Sequence, residues 1–376
     1  MQSSQFHSAF LQPDGYDLSL ARGYNRSGNI LQRPQFIIFD GQLFEPVHIR
    51  YPLPSLLFSK SMRKILRQAK AHFRIEVKRV ERIGESAQWL YQQNLPRFKG
   101  TFSQTLESIV LSANPPVATN TLEFSVYDGQ QLIAVSYLDQ GIQCVCSIIS
   151  VYDPSYARYS PGILTMLLEM EYAKEAGYQY YYPGYIFHEP TSFDYKIRFG
   201  HYEYMIRLLK WRKGPYPFNA GKLAQKITSK SWRLHLELLH LGIRNKIRFY
   251  TPQFAGGIDF ANLGLCEFPI ILELLDYPMR FAVWDHKREN YYVYLMRPDP
   301  LVPNPTSNMT ADYAENPMYF HTFLFKQYSI DLSLFLDEPR NRMDVVKSLG
   351  VERNYHYLLE KLSELPTQKS NSKKKS

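Results

Sequence analysis

The segment from Ser147 to Phe199 constrains the fold of this chain more than any other part of it. Alternating apolar residues predict one strand that ends at Tyr152, and the run from Tyr180 to Tyr185 predicts a second strand. A helix is expected between them over about Pro161 to Ala176. Ser160 suits the N-cap, Pro161 suits the first helical position, and Gly177 is placed to end the helix. The segment therefore predicts a strand–helix–strand unit whose helix packs against a sheet over a wide apolar face.

Alternating apolar residues also predict antiparallel strands over 122–127, 132–138 and 142–151, the last of which leads into the unit above. The Asp128-Gly129 pair between the first two runs is typical of a tight hairpin turn. Together with the helix, these strands predict an α+β fold, with a mixed sheet of about five or six strands flanked by helices.

Changes in composition divide the chain into three predicted regions. Residues 1–100 form an N-terminal arm with a basic helix, residues 101–214 form the sheet-containing core, and residues 215–376 form an additional α+β region with a disordered lysine-rich tail. In the last region we expect two helices over 220–229 and 232–248, a strand pair over 281–285 and 291–296, and a proline-rich link over 298–305. A final helical part is expected after the link.

Several classes of protein are excluded by composition. No apolar run reaches the length needed to cross a bilayer, and the first residues lack the pattern of a signal peptide, so a soluble cytoplasmic protein without membrane contact is expected. The three cysteines, Cys144, Cys146 and Cys266, make neither a disulfide framework nor a four-ligand zinc site. We expect them to be buried small side chains.

The net charge of +9 is concentrated between Ser59 and Arg82, where nine Lys and Arg face only two Glu residues. Within this segment the cations recur at helical spacing, and Met62, Ile65, Leu66 and Ala69 take the other side of the predicted helix. Such a stripe suits a polyanion, and a merely solvated cationic face is the alternative interpretation. The predicted polyanion contacts are Lys60, Arg63, Lys64, Arg67 and Lys70.

The order of several short motifs resembles the arginyl-tRNA-protein transferase family, including its bacterial leucyl-transferring members. The motifs lie within about residues 17–214 and are Ala21-Arg22-Gly23-Tyr24, Arg26-Ser27-Gly28, Pro46-Val47, the basic helix, Tyr152-Asp153-Pro154, Ser160-x-Gly162, Glu169-x-Glu171 and Tyr180-Tyr181-Tyr182-x-Gly184-Tyr185. The resemblance implies a fold like that of the GNAT acyltransferases. It also implies transfer of an amino acid from aminoacyl-tRNA to the N-terminal amine of an acceptor protein, so that the polyanion contacts of the basic helix become predicted tRNA contacts.

The chain departs from the pattern of that family at a few positions. Members usually carry a cysteine cluster, regarded as a metal or iron–sulfur site, just before the position of Pro46, whereas residues 39–45 contain no cysteine. We therefore expect neither a metal nor another cofactor. Ile163, Leu164 and Pro183 also replace the residues that are usual in the family.

Aminoacyl transfer needs a group that accepts a proton from the amine and donors that stabilise the ester oxygens. Asp153 is the candidate to bind or deprotonate the incoming amine, and Tyr182 and Tyr185 are the candidate donors to the ester oxygen or the ribose. The candidate substrate-binding residues are Ser160, Gly162, Tyr180 and Gly184. The alternative is structural, because an Asp-Pro pair after a strand often forms a turn, and clustered tyrosines often pack together.

Other titratable residues in this region carry weaker signals. His188 and His201 have no acidic partner that the sequence identifies. Glu169 and Glu171 are too close in sequence to share one helix face, so at most one of them points into a site. The basic helix and the tyrosine strand are expected to share one groove.

Two other functions fit the same residues. One is an acyl-CoA-dependent GNAT acetyltransferase, although Arg158 and Gly162 have an unsuitable spacing for its pyrophosphate loop. The other is a non-catalytic relative that binds tRNA or peptides. The amino acid transferred, the acceptor N-termini and the oligomeric state are left open.

Overall fold

The computed structural model describes residues 13–28, 30–98, 103–111, 120–206, 210–218, 222–240, 243–249, 268–275, 280–287, 289–298 and 323–328. The chain forms two compact units, Met1–Gly221 and Lys222–Ser376. No described helix has the length and hydropathy to cross a membrane.

The first unit combines helices with short and long strands. Its helices are α1 (Pro13–Ala21), α2 (Lys60–His72), α3 (Glu85–Asn94), α4 (Glu107–Val110) and α5 (Pro161–Glu175). Its strands are β1 (Asn25–Ser27), β2 (Ile30–Gln32), β3 (Ile37–Phe39), β4 (Gln42–Phe44), β5 (Pro46–Pro52), β6 (Arg74–Arg79), β7 (Thr121–Asp128), β8 (Gln131–Gln140), β9 (Cys144–Tyr152), β10 (Tyr180–Tyr182), β11 (Tyr185–Phe187), β12 (Glu203–Met205) and β13 (Arg212–Lys213). Short 3₁₀ helices span Leu53–Ser55, Leu95–Arg97, Pro154–Tyr159 and Ser192–Ile197.

The main sheet is mixed and contains nine strands among the described residues, in the order β13, β12, β5, β10, β9, β8, β7 and β6, with β11 also paired to β5. Strands β6 to β9 are antiparallel neighbours, and β9 and β10 are parallel. The predicted mixed α+β architecture is confirmed. The predicted width of five or six strands is wrong, because β5 and β6 come from the first hundred residues and β11 to β13 follow the tyrosine strand. The three predicted regions stay a prediction.

The strand–helix–strand unit is present as β9, α5 and β10. Gly177 ends α5 at a φ of +82°, in the left-handed region that glycine adopts without strain. Ser160 is the N-cap residue, as predicted, but it is left-handed at a φ of +52° and its side chain makes no cap hydrogen bond. The preceding 3₁₀ turn, Pro154–Tyr159, brings the chain into α5 in this conformation, whereas a capping side chain needs an extended backbone.

Helix α5 covers one face of the main sheet, which we call the α5 face. Leu167 and Met170 are fully buried there against Val145 and Tyr181 of the sheet. Truncating one such side chain to alanine costs about 2–5 kcal/mol in a typical core. Helix α2 packs on the same side, because Leu66 and Ala69 belong to this core.

The other face, which we call the α1 face, is covered by the N-terminal segment. Tyr16 and Leu20 of α1 pack on Cys144, Cys146 and Tyr182. Both cysteines are buried, as predicted, and burial raises the pKa of each thiol to about 12. Cys266 lies outside the described residues.

The Arg-Ser-Gly motif of the N-terminal segment is structural in this fold. Arg26 is buried, forms an ion pair with Asp139 of β8, and donates to the carbonyl groups of Gly28 at 2.6 Å and Val110 at 2.9 Å. The Tyr16 hydroxyl donates to the same Asp139 carboxylate at 3.0 Å. A buried charge pair needs such additional hydrogen bonds, and here they join the N-terminal segment to the sheet.

The second unit contains α6 (Leu223–His240) and an antiparallel sheet in the order β14 (Asn245–Phe249), β15 (Ile270–Leu274), β16 (Arg280–Asp285), β17 (Asn290–Pro298) and β18 (Phe323–Tyr328). The predicted strand pair is confirmed as β16 and β17. The predicted two helices are wrong, because one helix crosses the supposed boundary and residues 245–249 form a strand. Strand β18 lies where a final helical part was predicted, and the rest of that part and the lysine-rich tail lie outside the described residues.

Candidate active site at a gap in the sheet

Strands β9 and β10 pair over only three residues. Tyr180, Tyr181 and Tyr182 lie opposite Cys144, Val145 and Cys146, and the chain after Tyr182 then pairs with β5. Strand β9 continues to Tyr152, and among the described residues no strand pairs with its later part on this side. We call the opening between residues 147–152 and residues 184–187 the strand gap.

Pro183 and Gly184 explain why the strands part. Proline has no N–H to donate to a neighbouring strand, so it ends the pairing with β9. Gly184 has a φ of +91°, and its carbonyl accepts a hydrogen bond from the Ile49 N–H at 3.1 Å. The chain therefore turns away from β9 and follows β5.

Lys196 lies in the strand gap. Its 3₁₀ helix begins with a capping box between Thr191 and Asp194. The Lys196 Nζ lies 3.6 Å from the position of a Cβ on Gly184 and 5.5 Å from the centre of the Tyr185 ring. Desolvation lowers the pKa of Lys196 to about 8, although the nearby Cys146 and Glu169 favour its charged form. These distances place the ammonium group at the edge of the gap formed by Gly184 and Tyr185.

Glu169 of α5 is fully buried on the α5 side of the gap. Its Oε2 accepts a hydrogen bond from the Tyr181 hydroxyl at 2.6 Å, whereas its Oε1 has no hydrogen-bond partner among the described residues. Burial raises the pKa of Glu169 to about 7, and this rise is opposed by the hydroxyl groups of Tyr181, Ser136 and Ser147 and by the charge of Lys196.

These side chains form a titratable cluster with Tyr195, in which Glu169 is buried and Lys196 and Tyr195 are half-buried. The pKa of Tyr195 is raised to about 12 by desolvation and by the charge of Glu169. A carboxyl group with a pKa of about 7 and an amine with a pKa of about 8 can each exchange a proton near neutral pH. Pairs of titratable groups perturbed in this way are typical of catalytic sites.

Of the predicted residues, Gly184 and Tyr185 lie at the gap beside Lys196. The Lys196 Nζ also lies 3.5 Å from the Tyr185 carbonyl oxygen. The Tyr185 ring stacks on Phe193 with 6.1 Å between ring centres.

Tyr180 and Tyr182 hold an arginine on the α1 face. The Arg50 guanidinium lies 4.0 Å from the centre of the Tyr180 ring and 4.2 Å from that of Trp211, and it donates to the Tyr182 hydroxyl at 3.2 Å. Glu203 pairs with the same guanidinium at 2.7 Å. Burial is the main cause that raises the pKa of Tyr182 well above its usual value.

Asp153, Ser160 and Gly162 lie at the other end of β9. Cys146 of β9 lies opposite Tyr182, and Asp153 follows Cys146 by seven residues. Asp153 and Tyr182 are therefore about 20 Å apart along the strand direction. A Cβ on Gly162 would meet only the Tyr152 ring, at an ordinary 3.6 Å. The structure therefore does not bring the predicted catalytic residues together in one constellation.

Asp153 itself forms the Asp-Pro turn that is the structural alternative to a catalytic role. Its Oδ1 accepts from the Ser155 N–H at 2.9 Å and from the Ser155 hydroxyl at 2.7 Å, and its Oδ2 accepts from Gln131 at 3.1 Å. Its catalytic role stays a prediction.

As a capping residue, Asp153 is expected to tolerate asparagine, whose side-chain oxygen accepts the same bonds from Ser155. Asp153→Asn should leave the transfer rate within about twofold of the wild type, whereas Asp153→Ala should cost about 1 kcal/mol of stability. Thermal melting and steady-state transfer measure the two effects. A selective loss of transfer in the asparagine variant would assign Asp153 the chemical role predicted from the sequence.

The basic helix α2 is confirmed, and Ser59 caps it by accepting from the Met62 N–H at 3.3 Å. Lys70 is paired with Glu171 at 2.6 Å. The other predicted tRNA contacts make no ion pair with a described residue and are exposed, namely Lys60, Arg63, Lys64 and Arg67.

The expected common groove is wrong for Tyr180 and Tyr182, because the sheet separates them from α2. The C-terminal end of α2 instead meets the turn that precedes α5. The Phe73 ring lies 5.1 Å from that of Tyr159 and 6.2 Å from that of Tyr156. The basic helix thus adjoins the turn before α5 and, through the Lys70–Glu171 ion pair, the exposed side of α5 itself.

The position of the family's cysteine cluster is occupied by a hairpin of β3 and β4. Its side chains Ile37, Phe39 and Phe44 pack with Phe187 and Phe193. Apolar side chains cannot ligate a metal, so a metal does not fit this segment. Within the described ranges no three His, Cys, Asp or Glu side chains converge.

The two histidines near the tyrosine strand lie outside the cluster. His188 is buried, and its Nδ1 accepts from the Glu45 N–H at 3.0 Å. Burial is the main cause that lowers the pKa of His188. His201 is exposed. No sequence pattern assigns a role to Lys196, Tyr181 or Tyr195, and none indicates which of Glu169 and Glu171 points into a site.

Comparison with known proteins connects this geometry to a family. Residues 79–206 match the family model described as "Arginine-tRNA-protein transferase, C terminus". The aspartate/glutamate leucyltransferase of Vibrio vulnificus (strain YJ016) is 27% identical over 209 residues, which cover 51% of this chain and 81% of that protein. The enzyme of the same name from Shewanella sp. (strain ANA-3) is 28% identical over 201 residues, which cover 51% and 79%.

Among solved structures, the L-PGS structure from Bacillus licheniformis matches 47% of this chain and 50% of that chain, with a TM-score of 0.31 and 12% identity. A TM-score of this size does not assign a fold. The described fold is an α+β fold with titratable side chains at a strand gap. Over residues 79–206 the chain is similar to the arginyl-tRNA-protein transferase family, and it resembles these leucyltransferases over about half of its length.

Proposed function

We propose that this protein transfers an amino acid from aminoacyl-tRNA to the N-terminal amine of an acceptor protein, with the chemistry in the strand gap. The observation that carries the proposal is a desolvated amine, Lys196, and a buried carboxyl group, Glu169, whose charges influence each other's pKa where two strands part. We also propose a GNAT-type fold for the unit formed by β9, α5 and β10, because its two parallel strands separate beside the helix.

The reaction forms one C–N bond and breaks one C–O bond. The acceptor amine attacks the ester carbonyl, and the ribose hydroxyl leaves. An N-terminal ammonium group has a pKa of about 8, close to that of Lys196, so proton transfer between the two is nearly balanced. Neutral Lys196 accepts the proton from the attacking amine and returns it to the ribose oxygen, which leaves as a hydroxyl group.

The predicted tyrosines take different parts in this proposal. For Tyr185, whose ring lies beside Lys196, the proposed role is to donate to the ester or ribose oxygen. Tyr182 is held by Arg50 on the α1 face, so it supports the strand that ends at the gap. Gly184 lets the Lys196 amine approach the backbone at this point.

The names of the relatives suggest the substrates. They are leucyltransferases that act on aspartate or glutamate, so we propose leucyl-tRNA as the donor and acceptors that begin with Asp or Glu. The test is incubation of the purified chain with tRNAs charged with radiolabelled leucine or arginine and with peptides that begin with Asp, Glu, Asn or Lys. Labelled Asp and Glu peptides are expected with leucyl-tRNA. Absence of label in every peptide would contradict the proposed function.

The tRNA is proposed to bind along the exposed face of α2. The double charge reversal Arg63→Glu and Arg67→Glu should weaken tRNA binding by about 10- to 100-fold at low salt and reduce the slope of log affinity against log salt by about 2 or more, because at least two phosphate contacts are lost. Fluorescence anisotropy of labelled tRNA at several salt concentrations measures both quantities.

The matched control is the same double reversal at Arg79 and Arg82, which also lie in the basic segment but outside α2. Unchanged affinity and slope in the α2 variant would show that the helix is only a solvated cationic face.

A further inference from the structure

A fully buried carboxylate oxygen without a partner borders the gap. Glu169 Oε1 and the Ser136 hydroxyl are both buried, and among the described residues neither makes a hydrogen bond of ordinary geometry, although the Ser136 and Ser147 hydroxyls are near enough to lower the pKa of Glu169. Native proteins pair nearly all such atoms, because an unpaired buried polar group costs free energy. An orphaned carboxylate oxygen at a reaction site therefore indicates a donor that arrives with the substrate.

The charges around Glu169 determine which donor fits. On the α5 side, the groups next to Glu169 are the hydroxyls of Tyr181, Ser136 and Ser147. Among the described residues, Lys196 is the cation whose charge lowers the pKa of Glu169, and it lies on the other side of the gap. If Lys196 is neutral when it accepts a proton, the carboxylate is left without a counter-charge. An ammonium group of the substrate would supply one.

Building on the proposed function, we propose that Glu169 binds the α-ammonium group of the aminoacyl ester, so that the site selects donors with a free α-amine. That group is two bonds from the ester carbonyl, which suits a carbonyl held between Glu169 and Lys196. A simple acyl ester has no group that could satisfy Glu169.

The experiment compares leucyl-tRNA with its hydroxy-acid counterpart, in which a hydroxyl group of similar size replaces the α-ammonium group. With the wild-type chain and a peptide that begins with Asp, kcat/KM should be about 10- to 100-fold higher for leucyl-tRNA, the range expected for a hydrogen bond to a charged group. In Glu169→Gln the two donors should differ by less than about threefold. The control Glu175→Gln, at the exposed end of the same helix, should keep the wild-type ratio.

Two outcomes would overturn this inference alone. One is equal use of both donors by the wild type, and the other is a Glu169→Gln variant that loses activity with both donors but keeps their ratio, which would make Glu169 a structural residue. Absence of transfer from either donor would instead overturn the proposed function, and the inference would fall with it.

Discussion

Replacing Lys196 by methionine is expected to lower kcat for transfer by about 10²- to 10⁴-fold, the usual contribution of a positioned acid or base. Methionine keeps an unbranched chain in the strand gap, so the packing beside Gly184 and Tyr185 is retained. The affinity for tRNA should not change, because the predicted tRNA contacts lie on α2. Single-turnover transfer and anisotropy measure the two quantities.

The pH profile separates a base from a fixed positive charge. Burial lowers the pKa of Lys196 to about 8, so the neutral form becomes dominant above this pH, and kcat of the wild type should rise between about pH 7 and 9. Lys196→Arg keeps a cation that does not lose its proton, so it should be as inactive as the methionine variant.

The matched control for these variants is Lys213→Met, at an exposed position of β13, which should behave as the wild type. An active arginine variant with a flat pH profile would contradict the role of Lys196 as a base. It would indicate that the ammonium group stabilises the oxyanion instead.

Much of the framework around this site could be predicted from local sequence. The long strands β7 to β9 alternate clearly, α5 ends at a glycine, and α2 has one cationic and one apolar side. These signals depend on neighbours in the chain. The short strands β5 and β10 to β13 carry too few residues for a periodic signal, and their pairing is decided by the tertiary structure.

The catalytic cluster could not be predicted from the same signals. Lys196 and Glu169 are 27 residues apart, and both look ordinary in sequence, one in a short turn and the other in an apolar helix. Their pKa values change only because the strand gap and α5 exclude water from them. Asp153 looked more promising because Asp-Pro after a strand is a visible pattern, but a pattern of this kind reports the turn and not the chemistry.

The substitution Glu169→Gln is expected to make the protein more stable at pH 8 while it impairs the enzyme. Burial raises the pKa of Glu169 from its ordinary value of 4.5 to about 7 in the folded state. The folded state therefore holds the proton more tightly than the unfolded state. The stabilisation from this group is fully present below about pH 4.5 and is lost as the pH rises through 7. At pH 8 the ionised carboxylate costs about 3 kcal/mol.

Glutamine has the same shape and no charge, so it avoids this cost. Its oxygen can accept the hydrogen bond from Tyr181, and its amide group can donate to the unpartnered Ser136 hydroxyl. We expect a gain of about 1–3 kcal/mol in the free energy of unfolding at pH 8, and no gain at pH 4. Urea unfolding at both pH values measures this gain, and hydrogen exchange of the α5 amides assigns it to the first unit.

The matched control Glu175→Gln removes an exposed charge near the end of the same helix and should change stability by less than about 0.5 kcal/mol. A protein that gains stability by losing one buried carboxylate retains that carboxylate for a reason other than folding. A Glu169→Gln variant that is less stable at pH 8 would show that the carboxylate is satisfied within the fold, and that no substrate group is needed to complete it.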